Sequence, residues 1–521
     1  MKRLIVCCDG TWSNESVEEN GVPSPSNVFK LHNALAGRDL EGNEQLRYYH
    51  PGLGAEDRGF FAWLAGGMVG AGIDRHICSA YRWLASNYAE GDRICLFGFS
   101  RGAFTVRSLA AFLGYGLLDL DGLSQKEGWR RVHRAYARGY QRTDSVRRDW
   151  ADPDWAFFRG GAAMPVRFVG VWDTVGALGV PDDMEFLNMF DRPERWRFHD
   201  TNLGAHVTCG RHAMAMDEVR ASFTVARWQN RTGSRHPFAH QDAVEQWFPG
   251  VHADVGGGYS DSSLSDGPLR WMIDEAAKHG LGFRAVADTV VGNAAGPLHN
   301  SYKGILGQFR SRPRNVPALV PENAALFHRS AFVRQEVSPL SSPAYHPTVL
   351  LKAGDSHEVD IHASKHWNPT GIFLEAGAQY LFSATGEWKD AREVCDWGGF
   401  RRWSLSLGSL ARALSSCLGI LESGFKALTG NDSHDFALSK RVESVPWFAL
   451  VGAIANDGED GDPAVKSDGS PHRHQYAGLA CFEREPLQIE SPGYLFAFPN
   501  DVWGLYGNNR GSIRLKVTRV A

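Results

Sequence analysis

No run of about eighteen uninterrupted apolar residues occurs in this chain of 521 residues, so no membrane-spanning helix is expected. Strong net charge is missing too: a formal charge of −4 argues against broad attraction to phosphate backbones, and nucleic acid is excluded as an expected partner. Cysteine is sparse. The eight present are scattered, two of them adjacent at Cys7 and Cys8 in an apolar run, with no CxxC pair or regular framework, which reads as reduced thiols. HExxH, a P-loop and a dinucleotide fingerprint are all absent, so zinc and nucleotide chemistry have no support and no catalytic cofactor is expected. The basic start Met1-Lys2-Arg3 leads into Leu4 to Cys8, but Asp9 cuts that apolar run too short for a secretory signal. Synthesis in the cytoplasm is the expectation, with any export by another route.

The length predicts two or three domains. Up to about residue 345, four near-continuous apolar runs each end in a polar or glycine-rich turn. They are Leu4 to Cys8, Arg93 to Phe97, Val166 to Trp172 and Glu245 to Phe248. Helical patterns at Ile73 to Tyr88, Ala103 to Leu113 and Asp266 to Ala277 intervene. That alternation predicts an α/β domain over residues 1–345, a mostly parallel sheet with helices on both faces, whose ligands bind beyond the carboxyl ends of the strands.

Residues 346–521 change character: short strand-like runs (Thr348 to Leu351, Gly371 to Leu374, Gln379 to Ala384, Tyr494 to Phe498, Ser512 to Thr518) alternate with Gly, Asn and Asp turns. This predicts an all-β sandwich. It is interrupted near 401–440 by Leu407, Leu410, Leu414, Cys417, Leu421, Phe425 and Leu428, spaced as one amphipathic helix that either packs on its own protein or docks on a membrane or partner. Asp457 to Ser470 reads as an exposed loop.

The stretch with most chemical content is Gly98-Phe99-Ser100-Arg101-Gly102, placed between a strand-like and a helix-like run. That is the setting of a nucleophile elbow, in which glycines let strand and helix approach while the serine hydroxyl projects outward. A serine hydroxyl needs a base, and the base needs a carboxylate to fix its tautomer. Of twenty histidines, His252 is favoured because it follows a strand in Trp247-Phe248-Pro249-Gly250-Val251-His252 and precedes Gly256-Gly257-Gly258. For the acid, Asp173 at the end of Val169-Gly170-Val171-Trp172 is preferred over Asp254, which would bond its own turn, and over Asp9, which would brace its loop. The order Ser100, Asp173, His252 is that of α/β-hydrolase triads. Oxyanion donors are expected from the Arg101 amide at a helix start and from Gly10 or Thr11. Phe60, Trp63 and Leu64, in an apolar glycine-rich stretch, are candidates for an acyl-chain pocket or a mobile cap, and equally for an ordinary buried helix.

With these residues assembled, the first 345 or so resemble a bacterial and fungal family of α/β hydrolases that includes type VI secretion phospholipase effectors. The resemblance lies in Cys8-Asp9-Gly10-Thr11-Trp12, Gly91-Asp92, Gly98 to Ala103, Val171-Trp172-Asp173-Thr174-Val175-Gly176, Asp217-Glu218-Val219-Arg220 and Trp247 to Tyr259. It implies Ser100, Asp173 and His252 as a triad, a lipid ester as substrate in a phospholipase A type reaction, and a type VI-like export route. Residues from about 350 resemble bacterial galactophilic lectins, chiefly in Asn500 to Ser512. That likeness implies a calcium (Ca2+) site at Asp501, Leu505 through its carbonyl, Asn508 and Asn509, with glycan, membrane or partner-protein docking through the C-terminal domain. Trp503 and the insertion near 401–440 depart from the lectin pattern, and an Asn-rich turn that closes its own hydrogen bonds explains the same residues. Two rival functions stay open: an esterase acting on polysaccharide or small-molecule acyl groups, and a non-catalytic glycan-binding or structural protein.

Overall fold

The computed structural model describes residues 1–10, 18–19, 21–52, 69–141, 151–175, 203–228, 242–302, 311–341, 343, 345, 347–400, 440–456 and 474–521. Thr11, the pocket candidates Phe60, Trp63 and Leu64, the amphipathic run Leu407 to Leu428 and the loop 457–470 lie outside the described residues.

Six strands form one parallel sheet: β1 (Arg3–Cys8), β2 (Gln45–His50), β3 (Arg93–Phe99), β4 (Val166–Trp172), β5 (Cys209–Ala215) and β6 (Asp242–Phe248). Their spatial order is β2-β1-β3-β4-β5-β6, and every neighbouring pair is parallel. All six residues of β1 are buried, as a strand covered on both faces must be. Alternate side chains of β1 serve different cores. Leu4, Val6 and Cys8 join Ile77, Leu84, Val106 and Leu109 from helices α1 (Val69–Asn87) and α2 (Arg101–Leu113). Ile5 and Cys7 face the other way, joining residues of Asn27–Ala34 and of Asp266–Lys278. The fold is thus an α/β-hydrolase-like sheet with helices on both faces.

The chain order turns back at β1: β2 lies to one side of it and β3 to the other. A sheet of this kind opens a crevice at the carboxyl ends of the two strands flanking that reversal. There β1 runs into Asp9-Gly10 and β3 into Ser100, so topology alone gathers the two loops. Strand and helix meet closely at this point. A Cβ on Gly98 would stand 2.4 Å from the Gly102 carbonyl oxygen, and one on Gly102 2.1 Å from the Cys8 carbonyl oxygen. Both distances are far inside contact, so only glycine serves at either position.

The C-terminal region is antiparallel. One sheet runs Asn368–Leu374, Gly493–Pro499, Leu450–Ala455, Gln475–Gly478; the other centres on Arg510–Arg519, paired with Gln379–Thr385, Trp388–Asp390 and Ser356–His362. Ile372, Leu374, Leu450 and Leu495 of the first and Tyr380, Phe382, Leu515 and Val517 of the second share one core. Thr348 to Leu351, expected as a strand, forms only a single parallel bridge from Val349 to Ile372. Among the described residues, all seven cysteines are free, and no helix is long and apolar enough to cross a membrane.

Candidate active site

Ser100 follows the last residue of β3 and caps the start of α2, with φ 56° and ψ −121°. A non-glycine residue rarely holds a positive φ, and here the close packing of Gly98 and Gly102 imposes it. Its Oγ lies 2.8 Å from Nε2 of His252, and Nδ1 of His252 lies 2.5 Å from Oδ2 of Asp173. Three groups separated by 73 to 152 residues of chain therefore form one hydrogen-bonded line, and all three are buried.

Each member is placed by a different element. Asp173 follows β4, has φ 40°, and accepts the Ala215 amide on Oδ1 at 2.9 Å. His252 opens the short helix His252–Gly256, and its backbone amide donates to Glu218 at 3.2 Å. The imidazole sits between the rings of Phe99 (centroids 4.6 Å apart) and Phe223 (4.9 Å). Burial lowers the His252 pKa below the ordinary histidine value, while the Asp173 carboxylate pulls the other way. Burial alone would raise the Asp173 pKa. Arg314 and His252 overcome that, and the carboxyl is held well below its usual range.

Arg314 carries no signal in the sequence. Its two terminal nitrogens reach Asp173 Oδ1 at 2.7 Å and Oδ2 at 2.9 Å, and also donate to the carbonyls of Ala215 and Phe223. Glu218 was visible only as part of a familiar stretch, without a role. It accepts from the amides of Val219, Arg220 and His252, from the Ser301 hydroxyl and from the Arg220 guanidinium, and the balance of burial against those partners lowers its pKa to about 2.

The rival acids are engaged elsewhere. Asp254 accepts from its own turn at the Val251 amide and pairs with His299 at 2.5 Å. Asp9 accepts from Ser26 at 2.6 Å and Tyr49 at 2.7 Å, and burial raises its pKa to about 6. The Gly10 amide, expected to face an oxyanion, donates instead to Asp9 Oδ1 at 2.7 Å, because a buried carboxylate draws in the nearest donors. Arg101 occupies the first position of α2, where a backbone amide has no partner within its own helix.

In the C-terminal loop, Asp501 accepts the Val502 amide on one oxygen and Asn509 Nδ2 on the other, at 2.7 and 2.9 Å. Asn509 Nδ2 also donates to the Ala363 carbonyl, Asn508 turns to Asp390, and the Leu505 side chain is exposed. These contacts tie the loop to itself and its neighbours, and no chemical step is assigned to calcium here.

The parallel sheet, the strained serine after its third strand, and the acid and histidine on the loops beyond define a protein of the α/β-hydrolase class of fold. Comparison with known families agrees and is more specific: the model of the T6SS phospholipase effector Tle1-like catalytic domain matches residues 2–275, and the chain belongs to that family. An uncharacterized protein of Saccharomyces cerevisiae is 32% identical over 244 residues, which cover 43% of this chain and 32% of that protein. The match thus spans about a third of that relative's length. Among solved structures, an uncharacterized protein from Pseudomonas aeruginosa aligns over 56% of this chain and 49% of its own, with 18% identity and a TM-score of 0.33. The Tle1 effector bound to the VgrG spike of a type 6 secretion system aligns over 49% of this chain and 51% of its own, with 18% identity and a TM-score of 0.28.

Proposed function

We propose that this chain is a serine esterase that cleaves the carboxylic esters of phospholipid, a phospholipase A type reaction, and that it acts as a type VI secretion effector. The observation that carries the reading is the line Ser100 Oγ, His252 Nε2 at 2.8 Å, His252 Nδ1 to Asp173 Oδ2 at 2.5 Å, on a serine held at positive φ. Family membership supports lipid as the ester and type VI secretion as the route.

In this mechanism His252 Nε2 takes the Ser100 proton as Oγ attacks the ester carbonyl, and Asp173 stabilises the imidazolium that forms. The carbonyl oxygen becomes an oxyanion. The Arg101 amide, at the positive end of the α2 dipole, donates to it. Collapse of the tetrahedral intermediate breaks the ester bond, and His252 returns its proton to the departing lysophospholipid oxygen. Water, activated by the same imidazole, then releases the fatty acid and restores Ser100.

Two measurements test this reading. Hydrolysis of dispersed phospholipid is expected to exceed that of soluble short-chain esters and acetylated sugars, with a lysophospholipid and a fatty acid as products in lipid profiling. Equal or faster cleavage of acetylated sugars would move the substrate to the polysaccharide class. The second measurement is the pH profile. Burial lowers the His252 pKa, so the neutral, proton-accepting imidazole persists below the ordinary histidine value of about 6.5. The acidic limb of kcat/KM is therefore expected below that value, and a flat acidic side would remove His252 as the base.

A further inference from the structure

The segment Ser311 to Leu319 crosses between the two parts of the molecule. On the catalytic side, Ser311 bridges Arg220 and the Arg312 amide donates to the Val219 carbonyl. Between these anchors and Leu319 lies Arg314, with its guanidinium on Asp173. On the other side, three side chains of the C-terminal β region grip the same segment. Trp367 Nε1 donates to the Ser311 hydroxyl at 3.0 Å and to its carbonyl at 3.2 Å, His474 Nε2 meets the Pro313 carbonyl at 2.6 Å, and the Tyr494 hydroxyl accepts the Leu319 amide at 2.8 Å. Those three contacts bracket Arg314, one residue before it, three before it and five after it.

We infer that the C-terminal β region is part of the catalytic apparatus: by clamping residues 311–319 it positions Arg314, which in turn fixes the acid of the triad. The inference rests on the reading of Ser100, His252 and Asp173 as that triad. Three observations carry it beyond a general packing contact. The Arg314 fork bridges both oxygens of Asp173, which sets the plane of the carboxylate and hence the oxygen offered to His252. Arg314 is 8% exposed and Asp173 fully buried, so each compensates a charge that would otherwise be costly. Packing beside the segment is incomplete: a cavity of about 340 Å³ is lined by Pro313, Arg314, Val316 and Leu319 of the segment and by Leu495 and Phe496 of the β region. Val316 and Leu319 pack with Met214, Val225 and Trp247 of the catalytic part, and Trp367, His474 and Tyr494 of the C-terminal region hold the segment by hydrogen bonds from the other side.

Loss of the guanidinium alters the charge balance around the base. The groups facing His252 and Asp173 are Glu218 and Arg220 on the loop after β5, Arg314 on the clamped segment, and His212 of β5, whose Nε2 accepts the Thr174 amide; Asp254 and Tyr259 follow His252 in the chain. Glu218 and Arg220 pair with each other, and Asp254 with His299. Among the described residues, Arg314 is the cationic side chain that meets Asp173 directly, and the neutral His252 imidazole is its neighbour there. Without Arg314, the carboxylate favours the imidazolium, and the acidic limb of activity moves to higher pH.

The test uses the full chain, a soluble ester substrate, a pH profile and a melting temperature for each variant. Arg314→Met is expected to lower kcat by about a hundredfold, the scale of a misplaced catalytic group, with little change in KM and an upward shift of the acidic limb. Arg314→Lys restores the limb, because the charge returns, and only part of the rate, because an ammonium cannot bridge both oxygens. Trp367→Phe combined with Tyr494→Phe removes anchors far from the chemistry and is expected to lower kcat by roughly tenfold with the same upward shift. Should Arg314→Met not fold, Arg314→Lys and the anchor pair decide. Lys and Met variants with the same rate and the same limb, or anchor variants with the rate and limb of the parent, overturn the inference. Ser100→Ala separates the two failures: persistent hydrolysis in that variant removes the triad reading, whereas hydrolysis lost there but unmoved in the Arg314 and anchor variants removes only the positioning role.

Discussion

Ser100→Ala is expected to reduce turnover on ester substrates by about a millionfold and to abolish labelling by a fluorophosphonate probe, leaving a weak residual rate from binding and the oxyanion site. The size of the loss follows from the chemistry. Without Oγ there is no acyl-enzyme, and His252, which faces Oγ at 2.8 Å, has no proton to take. The variant should stay folded, since Ala keeps the Cβ and loses one hydrogen bond. A second substitution separates strain from chemistry. Ser100 holds φ 56°, a conformation that costs a non-glycine residue about 1–3 kcal/mol. Glycine normally loses to alanine by about 0.5–1 kcal/mol in the middle of a helix or strand, yet at this position the order should reverse. Ser100→Gly is thus expected to melt no lower than Ser100→Ala while being equally inactive. Full labelling of either variant would place the nucleophile elsewhere.

The elements that hold this serine were the legible ones. Leu4 to Cys8, Arg93 to Phe97 and Val166 to Trp172 are nearly pure apolar runs closed by a polar turn, and the strands are found at Arg3–Cys8, Arg93–Phe99 and Val166–Trp172. A doubly covered strand leaves that mark because both of its faces must be apolar. β5 escaped notice for the converse reason. Cys209-Gly-Arg-His-Ala-Met-Ala carries an arginine and a histidine, yet all seven residues are buried, because Arg211 pairs with Asp242 and Glu275 and His212 with Glu245. Those partners come from β6 and from the helix Asp266–Lys278, so no local pattern announces them. β2 was missed because its exposed edge is polar, Gln45-Leu-Arg-Tyr-Tyr-His50.

At the site the same division holds. The three side chains that meet in the fold were each singled out locally, Ser100 from five adjacent residues and Asp173 and His252 from their places just past strands. Asp254 could be set aside because it lies only two residues beyond His252 and would bond its own turn, and it accepts the Val251 amide there. Arg314 could not be found this way. It stands in Ser311-Arg-Pro-Arg-Asn-Val-Pro317, a stretch without period, and its partner is 141 residues distant. Gly10 went astray through competition: the turn geometry was anticipated, but not that the carboxylate of Asp9 would take the amide first.

Asp173→Asn tests the other end of the line, and its effect on activity is expected to be about ten-thousandfold. An asparagine amide can donate to Nδ1 of His252, which moves the ring proton to Nε2 and leaves that atom unable to accept from Ser100. The substitution also strands Arg314. Removing one partner of a buried ion pair costs about 3–5 kcal/mol, so the melting temperature should fall at neutral pH. The sign of the pH dependence is fixed by the native carboxyl, whose pKa lies well below the ordinary carboxylate value of about 3.9. Such a group stabilises the fold at pH above that ordinary value and ceases to do so as the pH falls through the native one. Melting curves of the parent and Asp173→Asn should hence lie far apart at neutral pH and begin to converge only below about pH 4. Adding Arg314→Met to Asp173→Asn removes the stranded cation, and the double variant should regain stability without regaining turnover. Recovery of both together would mean that Asp173 serves the fold alone, and parental turnover in Asp173→Asn would give the role of acid to another carboxylate.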